Sequence, residues 1–170
     1  MESIRSAVEE ASRYLTKHPE AAAATDAAAT AVRDEGLRFR VEGPQGNLSS
    51  DMSKTVGGGA TAPTPGWLLR AALASCDATL VAMEAAHDGV ELTGLEVTVD
   101  SESDFRGILG VDDPVRPGPL AVRVRIQLAS SNASQDQLRE IVERAETHSP
   151  VRDALARILP MATEIVTDDN

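Results

Sequence analysis

The longest apolar segment of the chain is residues 66–87, and its residue types predict a helix of about six turns. Ala, Leu and Met dominate it, and neither glycine nor proline occurs after Gly66. The preceding loop, residues 57–66, is rich in glycine and proline and sets the start of the helix, and Asp88-Gly89 end it. Because apolar side chains cover most of the circumference, the pattern predicts a helix buried on most sides.

The polar residues of this predicted central helix lie on one narrow stripe. Arg70, Asp77 and Glu84 recur every seventh residue, a spacing that keeps them on one side of a helix. A different, apolar stripe carries Cys76, the only cysteine of the chain. The pattern therefore predicts that Cys76 points into packed surroundings next to a polar edge.

The first part of the chain has the pattern of a helical extension. Apolar positions at helical spacing predict an amphipathic helix over residues 3–16. Pro19 is predicted to open a second helix that runs through an alanine-rich stretch to Val32. We therefore expect an N-terminal helical extension over residues 1–35, with a role in packing or dimerisation, and a main domain over residues 36–170.

Strand periodicity begins after this extension. Apolar and polar residues alternate over residues 37–42, and residues 48–54 return after a turn, which predicts a hairpin. Alternation over residues 95–100 predicts a third strand. The clearest alternation, over residues 120–128, predicts a fourth strand with one buried and one solvated face.

The last part of the chain combines two helices with one strand. Ser134 and Gln137 form a capping-box pattern that predicts a helix to about residue 147. Ser149 followed by proline predicts a short helix to about residue 158, and residues 163–167 fit a final strand. Since most strands follow one another without helical crossovers, the fold class predicted for the chain is α+β.

Charge and composition narrow the range of functions. A net charge of −11 and a pI near 4.6 argue against a nucleic-acid partner or an anionic membrane surface. Arg70 and Asp77 interrupt the most apolar segment, so no membrane span is expected. One cysteine excludes an intramolecular disulfide, and the N-terminus lacks a secretion-signal pattern, so we expect a cytoplasmic protein.

The chain offers one nucleophile in an informative position. Its three histidines, His18, His87 and His148, are dispersed, so neither a metal site nor a cofactor is expected. A Ser-His-Asp motif is also missing from the sequence. Judged on the residues alone, Cys76 is best interpreted as a small core residue, the usual role of a lone buried cysteine.

Three segments of the chain, residues 64–76, residues 94–99 and residues 149–151, together resemble the OsmC/Ohr family of osmotically inducible and organic-hydroperoxide-resistance proteins. The segment 64–76 is similar to the Pro-x-x-Leu-Leu-x-Ala-Ala-x-x-x-Cys segment of that family, and the strand 94–99 matches as well. Residues 149–151, Ser-Pro-Val, are similar to its Cys-Pro motif. The resemblance spans residues 37–166. It implies a central helix wrapped by antiparallel sheets in an intertwined homodimer, with the thiol sites at the interface.

The resemblance also implies a chemistry. In active members, the cysteine of the central helix attacks a hydroperoxide, a strand arginine and a glutamate assist it, and a second cysteine closes a disulfide that a thiol reductant reopens. Cys76 stands at the reactive position, and Arg40, or alternatively Arg38, lies on the strand that supplies the arginine. Gly66 stands where the glutamate is expected, and Ser149 occupies the resolving position. The two-cysteine cycle is therefore impossible within one chain.

Three interpretations follow from this combination. The first is a cytoplasmic stress protein, a homodimer that reduces hydroperoxides weakly through Cys76, as a one-cysteine peroxidase with an external thiol reductant. The second is a non-catalytic OsmC-like dimer that binds a small apolar ligand in the interface cavity. The third is a structural dimer associated with stress. The missing glutamate and second cysteine favour the second interpretation, and the retained cysteine favours the first.

Overall fold

The computed structural model describes residues 2–167 of the 170-residue chain. Helices and strands alternate in an α+β arrangement, which confirms the predicted fold class. The elements, in chain order, are α1 (Glu2–Lys17), β1 (Thr30–Glu35), β2 (Arg38–Gly43), β3 (Gly46–Ser50), α2 (Pro65–His87), β4 (Leu92–Glu102), α3 (Phe105–Ile108), β5 (Ala121–Ser130), α4 (Gln135–His148) and α5 (Pro150–Ala156).

The strands form two antiparallel sheets. One sheet has the order β1-β2-β3, and the other consists of β4 and β5, paired along nearly their whole length. The side chains of β4 and β5 alternate between half-buried and exposed, as the sequence pattern predicts. The half-buried apolar positions are Leu92, Leu95, Val97, Val99, Val124, Ile126 and Leu128.

Helix α2 is the centre of the fold. It begins after the N-cap Thr64, whose hydroxyl accepts a hydrogen bond from the Trp67 N–H group, and it packs against α1, β4, α4 and α5. Val81 and Ile141 are fully buried where α2 meets α4. The core around them also contains Ala85, Val90, Ala145, Leu80, Leu92, Leu95, Ile126, Leu128, Ala133, Leu138 and Val142.

The expectation that α2 is buried on most sides is not met within one chain. Five of its 23 residues are buried, and Trp67 in its first turn is 50% exposed. By length and composition α2 is also apolar enough to cross a membrane, although Arg70 and Asp77 interrupt it. Core helices of soluble proteins can have the same length and composition, and α2 packs on four other elements of the chain.

Two predicted elements are wrong within the described residues. The second helix of the extension is a single 3₁₀ turn at Pro19–Ala21, and residues 30–35 form β1, which pairs with β2. Backbone pairing across the sheet outweighs the helix propensity of the alanine-rich stretch before it. The predicted boundary after residue 35 therefore coincides with the end of a strand. Residues 163–167 form no strand, because no other strand of the chain pairs with them.

The loop between β3 and α2 is held around one buried carboxylate. Asp51 is 2% exposed and accepts hydrogen bonds from the backbone of Met52, Gly59 and Thr61 and from the Thr61 hydroxyl. These bonds, led by those from Thr61, lower the pKa of Asp51 to about 2. The loop is therefore fixed in place rather than a flexible connector. A Cβ atom at Gly58 would lie 2.0 Å from the Met52 carbonyl oxygen, so the close approach requires glycine.

Much apolar surface remains uncovered by this single chain. No helix packs on the sheet β1-β2-β3 as closely as α2 packs on β4. Val32 and Leu48 of this sheet are each more than 40% exposed. The stretch after α5 has no regular secondary structure and presents Ile158 and Met161 almost completely to solvent, at 99% and 93% exposure. Surfaces of this kind are typical of chains that bury them against a partner.

Candidate functional site

Cys76 lies in the middle of α2 with its thiol half-buried and free. It contacts Ser149 at the corner between α4 and α5. The apolar character of α2 draws this helix against α4 and α5, and that packing brings residues far apart in sequence to the thiol. The prediction that Cys76 points into packed surroundings beside a polar edge agrees with this position.

Ser149 forms the corner between α4 and α5. It is the C-cap of α4 and the N-cap of α5, where its hydroxyl accepts a hydrogen bond from the Arg152 N–H group at 3.4 Å. Pro150 is the first residue of α5. Because proline has no backbone N–H group, it cannot donate the hydrogen bond that would continue α4. The resulting bend buries Ser149 to 1% exposure and places its Oγ atom 3.3 Å from the Sγ atom of Cys76.

A buried ion pair completes the site. Asp77, the residue after Cys76, is 1% exposed and accepts a 2.8 Å hydrogen bond from the Ser149 hydroxyl. Its second oxygen lies 2.6 Å from Nη2 of Arg152, and the same nitrogen lies 3.0 Å from Glu146. A buried carboxylate is stable only with such partners, since desolvation of an unpaired charge is costly. Nε of Arg152 is also buried and has no hydrogen-bond partner within the described residues.

The structure brings together two of the residues predicted from sequence. Cys76 and Ser149 are in contact, as expected if Ser149 occupies the resolving position. Gly66 lies in the first turn of α2, which holds no acidic residue, so no carboxylate of that turn replaces the expected glutamate.

The predicted arginines lie elsewhere in the chain. The guanidinium of Arg40 is half-exposed and its Nε atom lies 2.5 Å from Glu42. Arg38 donates to the hydroxyl groups of Thr61 and Ser49 at 2.6 and 3.1 Å. Both arginines belong to the sheet that does not pack on α2, so within one chain neither has Cys76 as a hydrogen-bond partner.

Sequence reasoning did not predict three residues of this site, namely Asp77, Arg152 and Glu146. Asp77 was noticeable as a charged residue in an apolar helix, on the stripe shared with Arg70 and Glu84. The position of Arg152, three residues after the serine that bends the chain, carries no comparable pattern. Its approach to Asp77 depends on how α5 packs on α2.

A second ion-pair cluster fastens the other end of α2. Arg144 of α4 donates to Glu84 at 2.9 Å and also to Asp88, and His148 lies 3.4 Å from Glu84. The hydrogen bonds to Glu84 and Asp88 raise the pKa of Arg144 above its usual range. This cluster positions α4 against α2 and contains no nucleophile. Among residues 2–167 no group of histidine, cysteine and acidic side chains has the arrangement of a metal site.

Comparison with known proteins identifies the family. The sequence profile of the OsmC family, described as OsmC-like protein, matches residues 57–164, which is more than half of the chain. The protein therefore belongs to the OsmC-like family. A search among curated proteins gave no match.

Solved structures share the same fold. An OsmC-like protein from Mycoplasma pneumoniae superposes with a TM-score of 0.66 at 18% identity, covering 79% of this chain and 89% of its own. An organic hydroperoxide resistance protein OsmC from Legionella pneumophila has a TM-score of 0.56 at 19% identity and covers 78% and 90%. OhrB of Bacillus subtilis superposes with a TM-score of 0.51 at 20% identity, and the match covers 78% of this chain and 91% of OhrB. At these identities the likeness establishes the fold.

Proposed function

We propose that this protein reduces organic hydroperoxides through Cys76, with an external thiol as the electron donor. The observation that carries the proposal is a chain of hydrogen bonds from Sγ of Cys76 through Oγ of Ser149 to the buried carboxylate of Asp77. Relatives of the same fold are described as organic hydroperoxide resistance proteins, which agrees with this choice of substrate.

The direction of the hydrogen bonds follows from the number of protons available. A carboxylate only accepts, so the single hydroxyl proton of Ser149 is directed at Asp77. Arg152 donates to the other oxygen of this carboxylate at 2.6 Å. Ser149 Oγ therefore presents a lone pair to Cys76, and the thiol is the donor in the 3.3 Å contact. The donors then run in one direction, from sulfur to serine to carboxylate.

This direction suits proton removal from the thiol. Transfer of the thiol proton to Ser149, and of the serine proton to Asp77, leaves a thiolate and a neutral carboxyl group. The serine hydroxyl then points at sulfur and stabilises its negative charge. Asp77 would in this way replace the glutamate that is missing at Gly66, acting as a base through one intervening hydroxyl. Glu146 faces Arg152 from α4 and shares its charge.

The reaction then balances with two external thiols. The Cys76 thiolate attacks the terminal oxygen of the hydroperoxide, the O–O bond breaks, and the leaving alkoxide takes up the proton held by Asp77 to become an alcohol. Cys76 is left as a sulfenic acid. A first thiol attacks its sulfur, releasing water and forming a mixed disulfide, and a second thiol releases Cys76 as the free thiol. An external donor is needed because the chain has a single cysteine.

We also propose that the working unit is an intertwined homodimer. The uncovered faces of α2 and of the sheet β1-β2-β3 support it, together with the irregular apolar stretch after α5. In such a dimer the sheet of a second copy would deliver Arg40 to the thiol. That role of Arg40 is an expectation taken from the family resemblance.

The proposal is tested by trapping the sulfenic acid on Cys76 after addition of an organic hydroperoxide, with mass spectrometry at several pH values. We expect Ser149→Ala and Asp77→Asn to slow its formation by about a hundredfold, the range of a positioned base. Ser149→Thr keeps a hydroxyl and should retain most of the rate. Asp88→Asn, which changes a carboxylate at the far end of α2, is the matched control and should react like the wild type.

Two results would overturn the proposal. One is a wild-type protein that forms no sulfenic acid with organic hydroperoxides. The other is a folded Ser149→Ala variant that reacts as fast as wild type and with the same pH profile. Circular dichroism shows whether a slow variant is still folded. If Asp77→Asn does not fold, Ser149→Ala still tests the proposal, because it keeps the ion pair between Asp77 and Arg152.

A further inference from the structure

We infer that Arg152 is a positioning residue that follows the proton of Asp77: it holds the carboxylate while Asp77 is charged and moves to Glu146 once Asp77 is neutral. This role rests on the proposed function, in which the proton of Cys76 reaches Asp77 through Ser149. When Asp77 takes up that proton, the guanidinium of Arg152 loses the negative charge it is paired with. The contacts of Arg152 contain a second carboxylate that takes over.

One nitrogen of Arg152 is shared by two carboxylates. Its Nη2 atom lies 2.6 Å from Oδ2 of Asp77 and 3.0 Å from Oε1 of Glu146. An Nη atom carries two hydrogens, so it can donate to both oxygens at once. The cluster therefore holds two negative charges for one positive charge. When one carboxylate becomes neutral, the remaining carboxylate and Arg152 form a balanced pair.

A second nitrogen of Arg152 is left without a hydrogen-bond partner. Nε is buried, and no acceptor among residues 2–167 bonds to it. A buried donor without an acceptor costs free energy, so the guanidinium does not lie where its own hydrogen bonds are best satisfied. Nε and Nη2 share one edge of the guanidinium, and a carboxylate facing that edge accepts two parallel hydrogen bonds. Glu146 already accepts from Nη2, and a shift of Arg152 toward it would satisfy Nε as well.

Electrostatics sets the direction of this shift. The charged carboxylate of Asp77 is buried, and attraction between opposite charges is strong where water is excluded. Proton uptake by Asp77 removes that attraction and leaves the attraction to Glu146, whose side chain is half-exposed on α4. A guanidinium that lost its only carboxylate in this position would be costly. Glu146 therefore lowers the free energy of the state in which Asp77 is neutral and Cys76 is a thiolate.

The backbone of Arg152 stays fixed while its side chain shifts. Its N–H group donates to Oγ of Ser149 at 3.4 Å, as part of the cap that begins α5. The same residue thus contacts both members of the hydrogen bond between Ser149 and Asp77, the serine through its backbone and the aspartate through its side chain. Movement of the guanidinium toward Glu146 leaves the serine in place beside Cys76.

The kinetic test compares Glu146→Gln with Glu143→Gln in the whole protein. Glu146→Gln should slow both sulfenic-acid formation with an organic hydroperoxide and alkylation of Cys76 by iodoacetamide, each by about tenfold, because both reactions need the thiolate. Its melting temperature should stay close to that of wild type, since Glu146 is half-exposed. Glu146→Asp keeps the charge and should recover part of the rate. Glu143→Gln removes the same charge from an exposed position of α4 and should react like wild type.

A spectroscopic test detects the shift of Arg152 without any peroxide. Asp77→Asn has the shape of a neutral carboxyl group and cannot hold a negative charge. In ¹⁵N-labelled protein, the Nε–H signal of Arg152, identified by its loss in Arg152→Lys, should move in Asp77→Asn and exchange with water more slowly than in wild type. The double variant Asp77→Asn/Glu146→Gln should not show this protection, because it lacks the carboxylate that would bind Nε.

Three results would overturn the inference. Two of them leave the proposed function standing: a folded Glu146→Gln that reacts as fast as Glu143→Gln, and an Nε–H signal that is the same in Asp77→Asn as in wild type. The third is a folded Asp77→Asn that forms sulfenic acid as fast as wild type, which removes the base and the role of Arg152 together. If Asp77→Asn does not fold, the rates of Glu146→Gln decide.

Discussion

Asp77 accepts a hydrogen bond from Ser149, a residue 72 positions further along the chain, at 2.8 Å. Both side chains are 1% exposed. The pairing exists because α4 ends at Ser149 and α5 turns back onto α2, so that one hydroxyl caps a helix and contacts two neighbouring residues of another helix. The hydroxyl of Ser149 thereby links the thiol of Cys76 to the carboxylate of Asp77.

The first prediction concerns the distance between Cys76 and Ser149. In Ser149→Cys, treatment with an organic hydroperoxide should produce a disulfide with Cys76 that a dithiol reverses. The present Sγ–Oγ distance of 3.3 Å needs a shift of only about 1 Å to reach an S–S bond of about 2.0 Å. Loss of the N-cap hydroxyl should cost about 0.5–2 kcal/mol of stability. Mass spectrometry of the non-reduced protein measures the bond.

Ser134→Cys is the control for this experiment. Ser134 is also an N-cap, at the start of α4, so the variant loses a comparable cap without placing a sulfur beside Cys76. It should form no intramolecular disulfide. A folded Ser149→Cys protein that also forms none would contradict the site described here.

The second prediction concerns Arg40. If the sheet of a second copy delivers this arginine to the thiol, Arg40→Met should slow alkylation of Cys76 near neutral pH, because a nearby cation favours the thiolate. Arg38→Met, on the same strand, is the comparison and should leave the rate unchanged. Equal rates for Arg40→Met and wild type would mean that pairing with Glu42 is the whole role of Arg40.

The third prediction is that the protein sediments as a dimer at micromolar concentration and dissociates only on unfolding. The reason is the exposed apolar surface, whose most exposed members, Ile158 and Met161, lie in the stretch after α5. Replacing both by glutamate should produce monomers or unfolded chains. Thr163→Glu adds a charge to the same stretch at a polar position and should remain dimeric. A stable folded monomer of the wild type would rule out this prediction.

The fourth prediction concerns pH and the loop before α2. The pKa of Asp51 in the folded protein is about 2, below its ordinary value of 3.8. A lowered pKa stabilises the folded state above the ordinary value, and this stabilisation is lost as the pH falls from about 4 to about 2. Asp51→Asn should therefore melt at a lower temperature at pH 7 and show a weaker pH dependence between pH 4 and pH 2.

Thermal melting followed by circular dichroism at each pH checks this result. Asp26→Asn replaces an exposed aspartate in the stretch before β1 and should melt like wild type throughout. If the two variants have the same melting curve at pH 7, the hydrogen bonds to Asp51 do not stabilise the loop.

Sequence determined the elements whose residues repeat at a clear period. The apolar stretch of α2, the alternation along β5 and the capping box of Ser134 are local properties, and the structure confirms all three. The contact between Cys76 and Ser149 was also predicted, because two separate motifs resemble one family whose fold brings them together. Local pattern and family likeness were enough to place the thiol of Cys76 beside Ser149.

Tertiary structure decided what else surrounds that thiol. Strand β1 and the irregular stretch after α5 depend on whether a neighbouring strand is available, which no local pattern records. The approach of Arg152 to Asp77 depends on the packing of α5 on α2. A charge in a sequence has no fixed effect, because its energy depends on the distance and burial that the fold gives it.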